Sequence, residues 1–578
     1  MFNLKEIPFS KAGSYMVISD NDADFHGMGN APGLYLRTIH GFSKTPFVAK
    51  LIPTENGRIT EYHCEAEPDQ LIIKMKNSQI KICFHDDATI LFKGVGDKAG
   101  ITFDYLTAGG PYDYIYEIPC DDQVRYMSNC FKNNCRYLTW AIKGDTSLDQ
   151  TWKEATAEYS RMQFTSKEGN LLVVLKEIEI EWDGIIETYD YDTSQSKTAE
   201  EFQEFYHSMP TVPAKYEQER ELASYLNWSC YVRKDGFLTR DSMYMSKNWM
   251  CNVWSWDHCF NAIALSYQNP EKAWDQFIVM FDFQDKTGLL PDSINDVHIV
   301  WNYSKPPIHG WALSRMLKNM QLTDEQTEEA YIKLSKWTNW WLLYRDHDHD
   351  GICEYNHGND SGWDNSTAFR IQPPVELPEL QAYLIIQMEV LSSLAMKMKR
   401  EQEAVLWQQK SEKMLKLMLE HCFEGGMPKA VKNVTHEVIE TDSLILFESI
   451  VLGKRLPADI RENMIRVLKS DKFLTDFGYA TESTVSKYYV SDGYWRGPIW
   501  APSTMILLDG LYQCGEQELV KNVADKFAMM IQKSGCAENF DALTGEGLRD
   551  KAYTWTSSAF LVMTHEYLTC PKGMGITI

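Results

Sequence analysis

The chain has 578 residues, which is too long for one hydrophobic core, so at least two domains are expected. Its apolar fraction of 44% and charged fraction of 24% are ordinary for a globular protein and argue against a disordered or fibrous class. The formal net charge of −24 argues against nucleic-acid and anionic-membrane partners, because both kinds of binding depend on clustered Lys and Arg.

The cellular location is predicted from three further features. The first residues carry charge early and lack the apolar run of a secretory signal. No stretch reaches about 18 uninterrupted apolar residues, the length of a membrane-spanning helix. Thirteen cysteines without a repeated C-x-x-C spacing predict reduced thiols rather than a disulfide framework. Together these features predict a cytoplasmic protein.

Residues 1–200 are predicted to form an antiparallel β-sandwich. Short β-favouring runs at 71–76, 80–84 and 171–175 are separated by clusters of Gly, Asn and Asp. Residues 177–182 alternate strictly between acidic and apolar, as a half-buried strand does. Many short strands at such spacing are typical of two packed antiparallel sheets. No catalytic cluster is evident in this region.

The polar residues 201–215 are predicted to be a linker, and residues 216–578 a helical domain. The hydrophobic period there changes to 3.6 residues. Helices are predicted at 216–231, 256–268, 270–285, 307–320, 324–345, 378–398, 400–421, 442–452, 457–469, 498–514, 516–534 and 553–567. Six helical hairpins fit a double ring of helices. A superhelix of helix pairs would give the same count, although no repeat of fixed period supports it.

Tryptophan is concentrated in the helical part. Fifteen of the 18 tryptophans follow residue 215, and several stand in loops beside polar residues. These are Trp249, Trp254, Trp256, Trp301, Trp363, Trp495, Trp500 and Trp555. An indole with polar neighbours suits the C–H face of a sugar ring. Large helical domains also bury tryptophan in their cores, so composition alone leaves both interpretations open.

Two loops carry candidate catalytic carboxylates. Asp364 follows Trp363 in a Gly- and Asp-rich loop, and Glu538 stands between small and aromatic residues in a second loop. An apolar wall disfavours the charged form of an acid and raises its pKa, as a general acid near neutrality requires. Glycoside hydrolysis generally uses two carboxylates on opposite sides of the sugar ring.

Five motifs occur in the order found in glycoside hydrolase family 63. They are Trp254-Ser-Trp256-Asp257-His258, Lys305-Pro-Pro-Ile-His309-Gly-Trp311-Ala312, Ser361-Gly-Trp363-Asp364-Asn-Ser366, Tyr494-Trp495-Arg496-Gly-Pro-Ile-Trp500 and Glu538-Asn-Phe-Asp541. The chain resembles this family over about residues 216–578. The family contains processing α-glucosidases and bacterial mannosylglycerate and glucosylglycerate hydrolases, and the trehalases have a similar layout.

The resemblance implies an (α/α)6 barrel that hydrolyses a terminal α-linked sugar with inversion. An α-glucoside in a short oligosaccharide or small glycoside is the expected substrate, and no cofactor is required. By motif position Asp364 resembles the general acid, and Glu538 resembles the base that activates water. An inverting site separates these carboxyl groups by roughly 6.5–9.5 Å.

The same motifs imply a set of substrate-binding residues. This set comprises Trp256, Asp257, Trp363, Arg496, Trp500, Trp311 and Trp555. Trp256 and Asp257 are expected to pack against and hydrogen-bond the sugar on one side, and Arg496 and Trp500 on another. The alternative for Asp257 and Arg496 is a buried ion pair that ties two loops together. For Trp311 and Trp555, the alternative to substrate binding is a structural role in the core.

The stretch from Asp346 to His357 raises the question of a metal. Asp346, Asp348, Asp350 and the glycine after them match the opening of a calcium loop, D-x-D-x-D-G. Position 12 would be His357 instead of the bidentate Glu, which disfavours Ca²⁺. An irregular calcium site is one alternative, and capping of backbone amides by the Asp side chains is favoured. Zinc bound by the clustered histidines is disfavoured, because their spacing is unsuitable.

Other functions compete with hydrolysis. A sugar epimerase or polysaccharide lyase on the same helical toroid would use histidine or tyrosine bases, and His258, His298 and His309 lie near the motifs. A carbohydrate-binding protein without catalysis would not need paired acids. The paired carboxylates and the ordered motifs favour the hydrolase.

Overall fold

The computed structural model describes residues 1–42, 46–96, 98–105, 112–120, 123–178, 180–182, 184 and 187–569. Within these residues none of the helices is both long enough and apolar enough to cross a membrane.

The N-terminal part contains fifteen strands in two antiparallel sheets. In chain order they are β1 (Met16–Asn21), β2 (Gly33–Thr38), β3 (Phe47–Glu55), β4 (Arg58–Ile59), β5 (His63–Ala66), β6 (Leu71–Lys74), β7 (Gln79–Phe84), β8 (Thr89–Val95), β9 (Ala99–Asp104), β10 (Tyr114–Ile118), β11 (Arg125–Cys130), β12 (Cys135–Lys143), β13 (Asp145–Lys153), β14 (Thr156–Thr165) and β15 (Asn170–Ile178). The first sheet has the order β1-β2-β3-β9-β14-β13, with β4 paired to β3. The second has the order β10-β11-β12-β15-β8-β7-β6-β5.

The two sheets pack face to face, which confirms the predicted sandwich. Strand β6 shows the expected period of two, because Leu71 and Ile73 are buried while their neighbours are half-buried. These residues share one apolar core with residues of the other sheet, among them Ile101 and Phe103 of β9. The alternating strand predicted at 177–182 is wrong at residues 180–182, which lie outside any strand.

Strand β15 ends at Ile178. Residue 179 lies outside the described residues, and Ile180 is 83% exposed. Alternation in the sequence therefore continues past the point at which the strand has a neighbour to pair with.

A helix that the sequence analysis overlooked follows the sandwich. Helix α1 (Tyr191–Ser208) begins at Asp190, whose side chain caps the backbone N–H of Thr193 at 2.9 Å. Its residues Phe202 and Phe205 are buried. The helix packs against strands β7 and β8. Residues 201–208 of the expected linker are thus helical.

The C-terminal part consists of helices with short loop strands. The helices are α2 (Glu217–Ser229), α3 (Asp257–Leu265), α4 (Pro270–Ile278), α5 (His309–Met316), α6 (Asp324–Tyr344), α7 (Pro378–Lys397), α8 (Glu401–His421), a 3₁₀ helix (Leu444–Arg455), α9 (Ala458–Leu468), α10 (Ala501–Gln513), α11 (Gln517–Ser534) and α12 (Thr554–Thr564). Each corresponds to one of the twelve predicted helices. The eighth, predicted at 442–452, is a 3₁₀ helix instead of an α-helix.

Six of these elements form a closed inner ring. Helix α3 contacts α5, α5 contacts α7, and α7 contacts the 3₁₀ helix. The 3₁₀ helix contacts α10, α10 contacts α12, and α12 returns to α3. All residues of α3 and α12 are buried, as expected of helices that are covered on every side. The closure excludes a superhelix of helix pairs.

The other six helices, α2, α4, α6, α8, α9 and α11, form the outer layer. Each packs on at least one inner element and precedes an inner element in the chain. The chain therefore alternates outer and inner around a double ring of twelve helices, the arrangement of an (α/α)6 barrel.

Short strands and turns occupy the connections and the ends of the chain. The strands are Tyr231–Val232, Ser242–Met243, Val253–Trp254, Ser293–Ile294, Ile299–Val300, Glu354–Tyr355, Val375–Glu376, Phe423–Glu424, Met427–Pro428, Ala430–Lys432, Val438–Ile439, Asn539–Phe540 and Gly547–Leu548. The 3₁₀ turns are Phe25–Gly27, His40–Phe42, Phe131–Asn133, Ala214–Tyr216, Val279–Phe283, Gly358–Ser361 and Thr367–Phe369, and a π-helix spans His565–Thr569.

The sandwich is fastened to the barrel through its N-terminal segment. The buried ammonium group of Lys247 donates hydrogen bonds to Ser10 Oγ at 3.2 Å, to the Lys11 carbonyl at 3.1 Å and to the Ser14 carbonyl at 2.5 Å. Tyr15 belongs to an apolar cluster shared with residues of the barrel connections. These contacts hold the segment that precedes β1 next to the barrel.

Candidate active site

The sequence-predicted residues gather at one end of the helical ring. Asp257 is the first residue of α3, Trp500 directly precedes α10, and Asp364 and Glu538 lie in the connections that lead to α7 and α12. All of these connections lead from an outer helix to the next inner helix. They therefore meet at the end where the inner helices begin, which is called the mouth below.

The loop that carries Asp364 is braced against the loop of Trp495. The Asn365 side chain donates to the Gly493 carbonyl at 3.0 Å and accepts from the Trp495 N–H at 2.9 Å. Gly362 has a φ of +75°, and a Cβ there would lie 2.6 Å from the Trp256 ring. The glycine thus allows the backbone a left-handed turn and a close approach to that indole.

Asp364 shares its surroundings with a buried lysine and a second aspartate. The Lys305 ammonium lies 3.8 Å from Asp364 Oδ1 and 3.4 Å from Asp292 Oδ1. The Asp364 side chain is 35% exposed, whereas Lys305 and Asp292 are buried. Desolvation raises the pKa of Asp364, and Lys305 opposes part of this increase. The carboxyl group is therefore favourably placed to hold a proton.

Glu538 is more deeply buried than Asp364. Its residue is 5% exposed, and its backbone N–H donates to the Asp550 carbonyl at 2.6 Å. Burial raises the pKa of Glu538 to about 8, with a further contribution from the charge of Asp550 and opposition from Arg549. Arg549 itself pairs with Asp492 at 2.6 Å and lies over the Tyr494 ring at 4.9 Å.

The two carboxylates act on a common neighbour, Tyr494. Burial raises the pKa of Tyr494 well above its usual range, and the charges of Glu538, Asp364 and Asp257 raise it further. Asp257 also raises the pKa of Glu538, while Asp364 raises that of Asp257. Burial brings the pKa of Asp257 to about 8. The carboxylates thus form one electrostatically coupled group around Tyr494.

Five tryptophans from three connections and the first turn of α12 form an aromatic wall. The Trp495 and Trp500 rings stack at 4.0 Å, Trp363 lies 4.6 Å from Trp495, and Trp555 lies 5.5 Å from Trp500. Trp256 closes the group at 5.7 Å from Trp555. All five are buried. The indoles therefore pack against one another and make the wall rigid.

Two predicted binding residues occupy other surroundings. The Trp311 indole N–H donates to Asp509 at 2.8 Å, deeper in the ring than the aromatic wall. Arg496 lies near Glu482, whose pKa is raised by burial, and the charge of Arg496 opposes a part of this increase. The Arg496 Nε is buried without a hydrogen bond within the described residues. The ion pair considered between Asp257 and Arg496 is not among the salt bridges of the described residues.

The sandwich contributes to the rim of the mouth. The His26 ring in the β1–β2 loop stacks on Trp249 at 4.2 Å. The backbone N–H of Trp249 donates to Asp550 Oδ2 at 3.2 Å. Lys551, the next residue, pairs with Glu6 at 2.9 Å. The connection that carries Glu538 is thus linked to the sandwich at two points.

Of the three histidines considered for an epimerase, His258 and His309 are buried in the ring, whereas His298 is exposed. His258 Nδ1 lies 2.9 Å from the Trp254 carbonyl, and its Nε2 lies 3.2 Å from the Phe277 carbonyl. Burial lowers the pKa of His258 to about 4 and that of His309 well below its usual range. The neutral ring can donate to only one of these carbonyls, and Cys259 Sγ lies 3.8 Å from Nε2, so His258 is held inside the fold, which suits a structural role.

The Asp346–Asp350 loop has backbone-capping interactions of the kind favoured by the sequence. Asp350 Oδ1 accepts from the Ile352 N–H at 2.8 Å, and Asp348 Oδ2 accepts from the Val434 N–H at 3.1 Å. Imidazole groups also approach these aspartates. The absence of a required metal, the expectation from the sequence, stays a prediction, and calcium at this loop stays the alternative to it.

Sequence reasoning missed several residues that the fold places at the mouth. Lys305 and Tyr494 stood inside quoted motifs without being assigned a role, and Asp292 and Arg549 stood outside them. A lysine followed by two prolines was one available signal, because prolines fix the path of a loop. The approach of Asp292 and Arg549 depends on tertiary contacts and had no signal in the sequence.

Comparison with known sequences identifies relatives of the helical part. The profile described as mannosylglycerate hydrolase MGH1-like glycoside hydrolase domain matches residues 250–556, more than half of the chain. The glucosylglycerate hydrolase of Mycolicibacterium hassiacum is 21% identical over 409 residues, covering 54% of this chain and 91% of that protein. The mannosylglycerate hydrolase of Rubrobacter radiotolerans is 21% identical over 402 residues, covering 53% and 89%.

Solved structures support the fold. A family 63 mannosylglycerate hydrolase of Thermus thermophilus, in complex with glucose, has a TM-score of 0.50 at 18% identity and covers 61% of this chain and 99% of its own. A bacterial glucoamylase complexed with acarbose has a TM-score of 0.63 at 11% identity and covers 97% of this chain and 93% of its own. The match to the glucoamylase thus extends over the sandwich as well as the barrel, whereas the match to the Thermus enzyme covers a smaller part of the chain.

Proposed function

The chain belongs to the mannosylglycerate hydrolase MGH1-like glycoside hydrolases of family 63, and we propose that it hydrolyses a terminal α-linked sugar with inversion of configuration. The observation that carries this proposal is the pair of desolvated carboxylates, Asp364 and Glu538, whose charges both act on Tyr494. Such a pair meets the requirement of glycoside hydrolysis for one acid and one base.

In this proposal Asp364 is the general acid. It must be protonated before reaction, and desolvation, which raises its pKa, favours that form. The proton passes to the glycosidic oxygen as the bond to the anomeric carbon breaks. At 35% exposure the side chain stands nearer to solvent than Glu538, which suits the side where the leaving group departs. Lys305 would stabilise the carboxylate that forms.

Glu538 is the proposed base. It would remove a proton from a water molecule that attacks the anomeric carbon from the opposite face. Its raised pKa makes it a strong base once ionised, although it is mostly protonated at neutral pH in the empty site. Arg549 favours the ionised form, and the positive charge that develops on the sugar in the transition state would favour it further.

We propose an α-glucoside in a short oligosaccharide or small glycoside as the substrate, bound with Trp256, Asp257, Trp363, Arg496, Trp500, Trp311 and Trp555 contributing to the site. The tryptophans of the mouth, together with Arg496, would shape it, and Asp257 would hydrogen-bond sugar hydroxyls. Trp311 would act indirectly, from the layer below. No cofactor is needed for this chemistry, and a cytoplasmic location stays a prediction.

A substrate panel tests the proposal. Purified protein is incubated with α-linked gluco- and manno-disaccharides, glucosylglycerate and mannosylglycerate, and the released sugar is quantified. Turnover of α-glucosides with kcat/KM higher than for the mannosides supports the proposed specificity. Cleavage of the mannosides alone would reject it, and isomerisation of a sugar without cleavage would indicate an epimerase.

A further inference from the structure

Two histidines and two aspartates converge beside the loop that leads to Asp364. Asp348 and Asp350 belong to that loop, His421 is the last residue of α8, and His436 lies in the hairpin turn between Ala430–Lys432 and Val438–Ile439. Asp350 Oδ2 lies 3.6 Å from His421 Nδ1 and 3.7 Å from His436 Nε2. Asp348 Oδ2 lies 2.9 Å from His436 Nε2.

These separations suit shared ligation of one ion. The two contacts of Asp350 are too long for hydrogen bonds. Donor atoms bound at about 2.1 Å to one ion lie roughly 3.0 Å apart in octahedral and roughly 3.4 Å apart in tetrahedral geometry. The observed distances fall around these values. His421, His436 and Asp350 thus present two imidazole nitrogens and a carboxylate oxygen toward one point.

A buried carboxylate orients one of the imidazoles. His421 Nε2 lies 2.5 Å from Glu376 Oε2, and the Glu376 side chain is fully buried. The other Glu376 oxygen accepts from the Asn433 side chain at 2.6 Å. A hydrogen bond on one ring nitrogen fixes the tautomer that leaves the other as a metal ligand. Here it leaves Nδ1 free to face Asp350.

The cluster also carries more negative than positive charge. Asp346, Glu354 and Glu376 accompany Asp348 and Asp350. Burial raises the pKa of Glu354 to about 7, and the charges of Glu376 and Asp346 raise it further. The salt bridges of Asp348, Asp350 and Glu376 within the described residues are all to His421 or His436. A bound cation would offset this excess.

We propose that Asp350, His421 and His436, with Asp348 as a further carboxylate beside His436, bind one divalent transition-metal ion of the Zn²⁺ class. Imidazole nitrogens together with carboxylate oxygens suit Zn²⁺, whereas Ca²⁺ prefers oxygen alone. The ion fastens the loop that leads to Asp364 to helix α8 and to the hairpin of His436. Its role is positional, and it takes no part in the proposed hydrolysis.

Calorimetric titration of the full-length chain without a histidine tag tests this proposal. The protein is stripped with a chelator and titrated with ZnCl₂, and separately with CaCl₂. One Zn²⁺ per chain is expected, with a melting temperature that rises in Zn²⁺. His421→Ala and His436→Ala should each weaken zinc binding at least tenfold, and Glu376→Gln by about 10- to 100-fold. His63→Ala, an exposed histidine of the sandwich, is the matched control and should bind as wild type.

Cobalt provides a second readout that is independent of activity. The Co²⁺ protein should show visible absorption bands typical of nitrogen ligation, and both histidine variants should lose them. Melting curves of the variants in chelator establish that they are folded. Failure of the stripped wild type to bind Zn²⁺ would overturn the proposal. So would zinc binding that survives both histidine substitutions, or Ca²⁺ binding tighter than Zn²⁺.

Discussion

Buried carboxyl groups at the two ends of the helical ring have pKa values shifted in opposite directions. At the mouth, burial leaves Glu538 and Asp257 with pKa values of about 8. Toward the other end, Arg315 is buried between Asp509 and Glu566, and Asp509 also accepts from the Trp311 indole. Although burial opposes ionisation of Asp509, Arg315 holds its pKa below the usual range.

This difference separates structural from functional charge. A buried ion pair whose members satisfy each other contributes order to the fold and leaves nothing for a ligand. Other carboxylates are destabilised by burial and lack enough partners in the protein to offset this. Such groups remain able to bind protons, water and substrate. A similar contrast holds between His258, whose buried ring is held by backbone carbonyls and the Cys259 thiol, and Glu538, whose side chain has no hydrogen bond within the described residues.

The largest expected effect comes from neutralising the mouth carboxylates. Asp364→Asn and Glu538→Gln should each lower kcat by about 10²–10⁴-fold, because each removes a proton-transfer group. Both variants should be at least as stable as wild type, since a desolvated acid is replaced by a neutral amide. Initial rates and melting curves measure the two properties. If the variants instead lose stability and retain their rate, Asp364 and Glu538 would be structural rather than catalytic residues.

Asp509→Asn should show the opposite pattern. Removing this carboxylate leaves the buried Arg315 with Glu566 alone, and the free energy of unfolding should fall by about 3 kcal/mol. The kcat of the folded fraction should change little. Denaturant unfolding and initial rates at low temperature measure both. A large drop in kcat with normal stability would place Asp509 in the catalytic machinery.

The pH dependence of stability sharpens the contrast. The folded pKa of Glu538, about 8, lies above the roughly 4.3 of an unfolded glutamate. Its contribution to stability is therefore complete below about pH 4 and is lost as pH rises through about 8. Glu538→Gln lacks this loss. The melting temperature of the variant relative to wild type should rise between about pH 5 and pH 9, and a constant difference would contradict the raised pKa.

The smallest expected effect concerns the rim supplied by the sandwich. His26→Ala removes the ring stacked on Trp249. It should raise KM for a trisaccharide several-fold and leave kcat for methyl α-glucoside unchanged, because the small glycoside does not extend to the rim. His63→Ala is the control. Equal losses on both substrates would assign His26 a structural role.

Much of the fold could be predicted from the sequence, because the period of the hydrophobic residues indicates which face of a helix or strand is buried. The twelve helices follow from the 3.6-residue period, but ring closure became evident only from the contact of α12 with α3. Helix α1 was missed because its polar composition concealed two buried phenylalanines. The placement of Asp364 and Glu538 followed from their motifs, whereas Asp292 and Arg549 approach them only through tertiary packing.

The inverting mechanism is tested most directly by the anomeric form of the sugar released first, observed by proton NMR during hydrolysis of an α-glucoside. Inversion predicts that β-glucose appears first and then mutarotates, and that Asp364→Asn and Glu538→Gln abolish its formation while remaining folded. If α-glucose appears first, configuration is retained. Glu538 would then be a nucleophile or the wrong residue, and the proposed inverting mechanism would be contradicted.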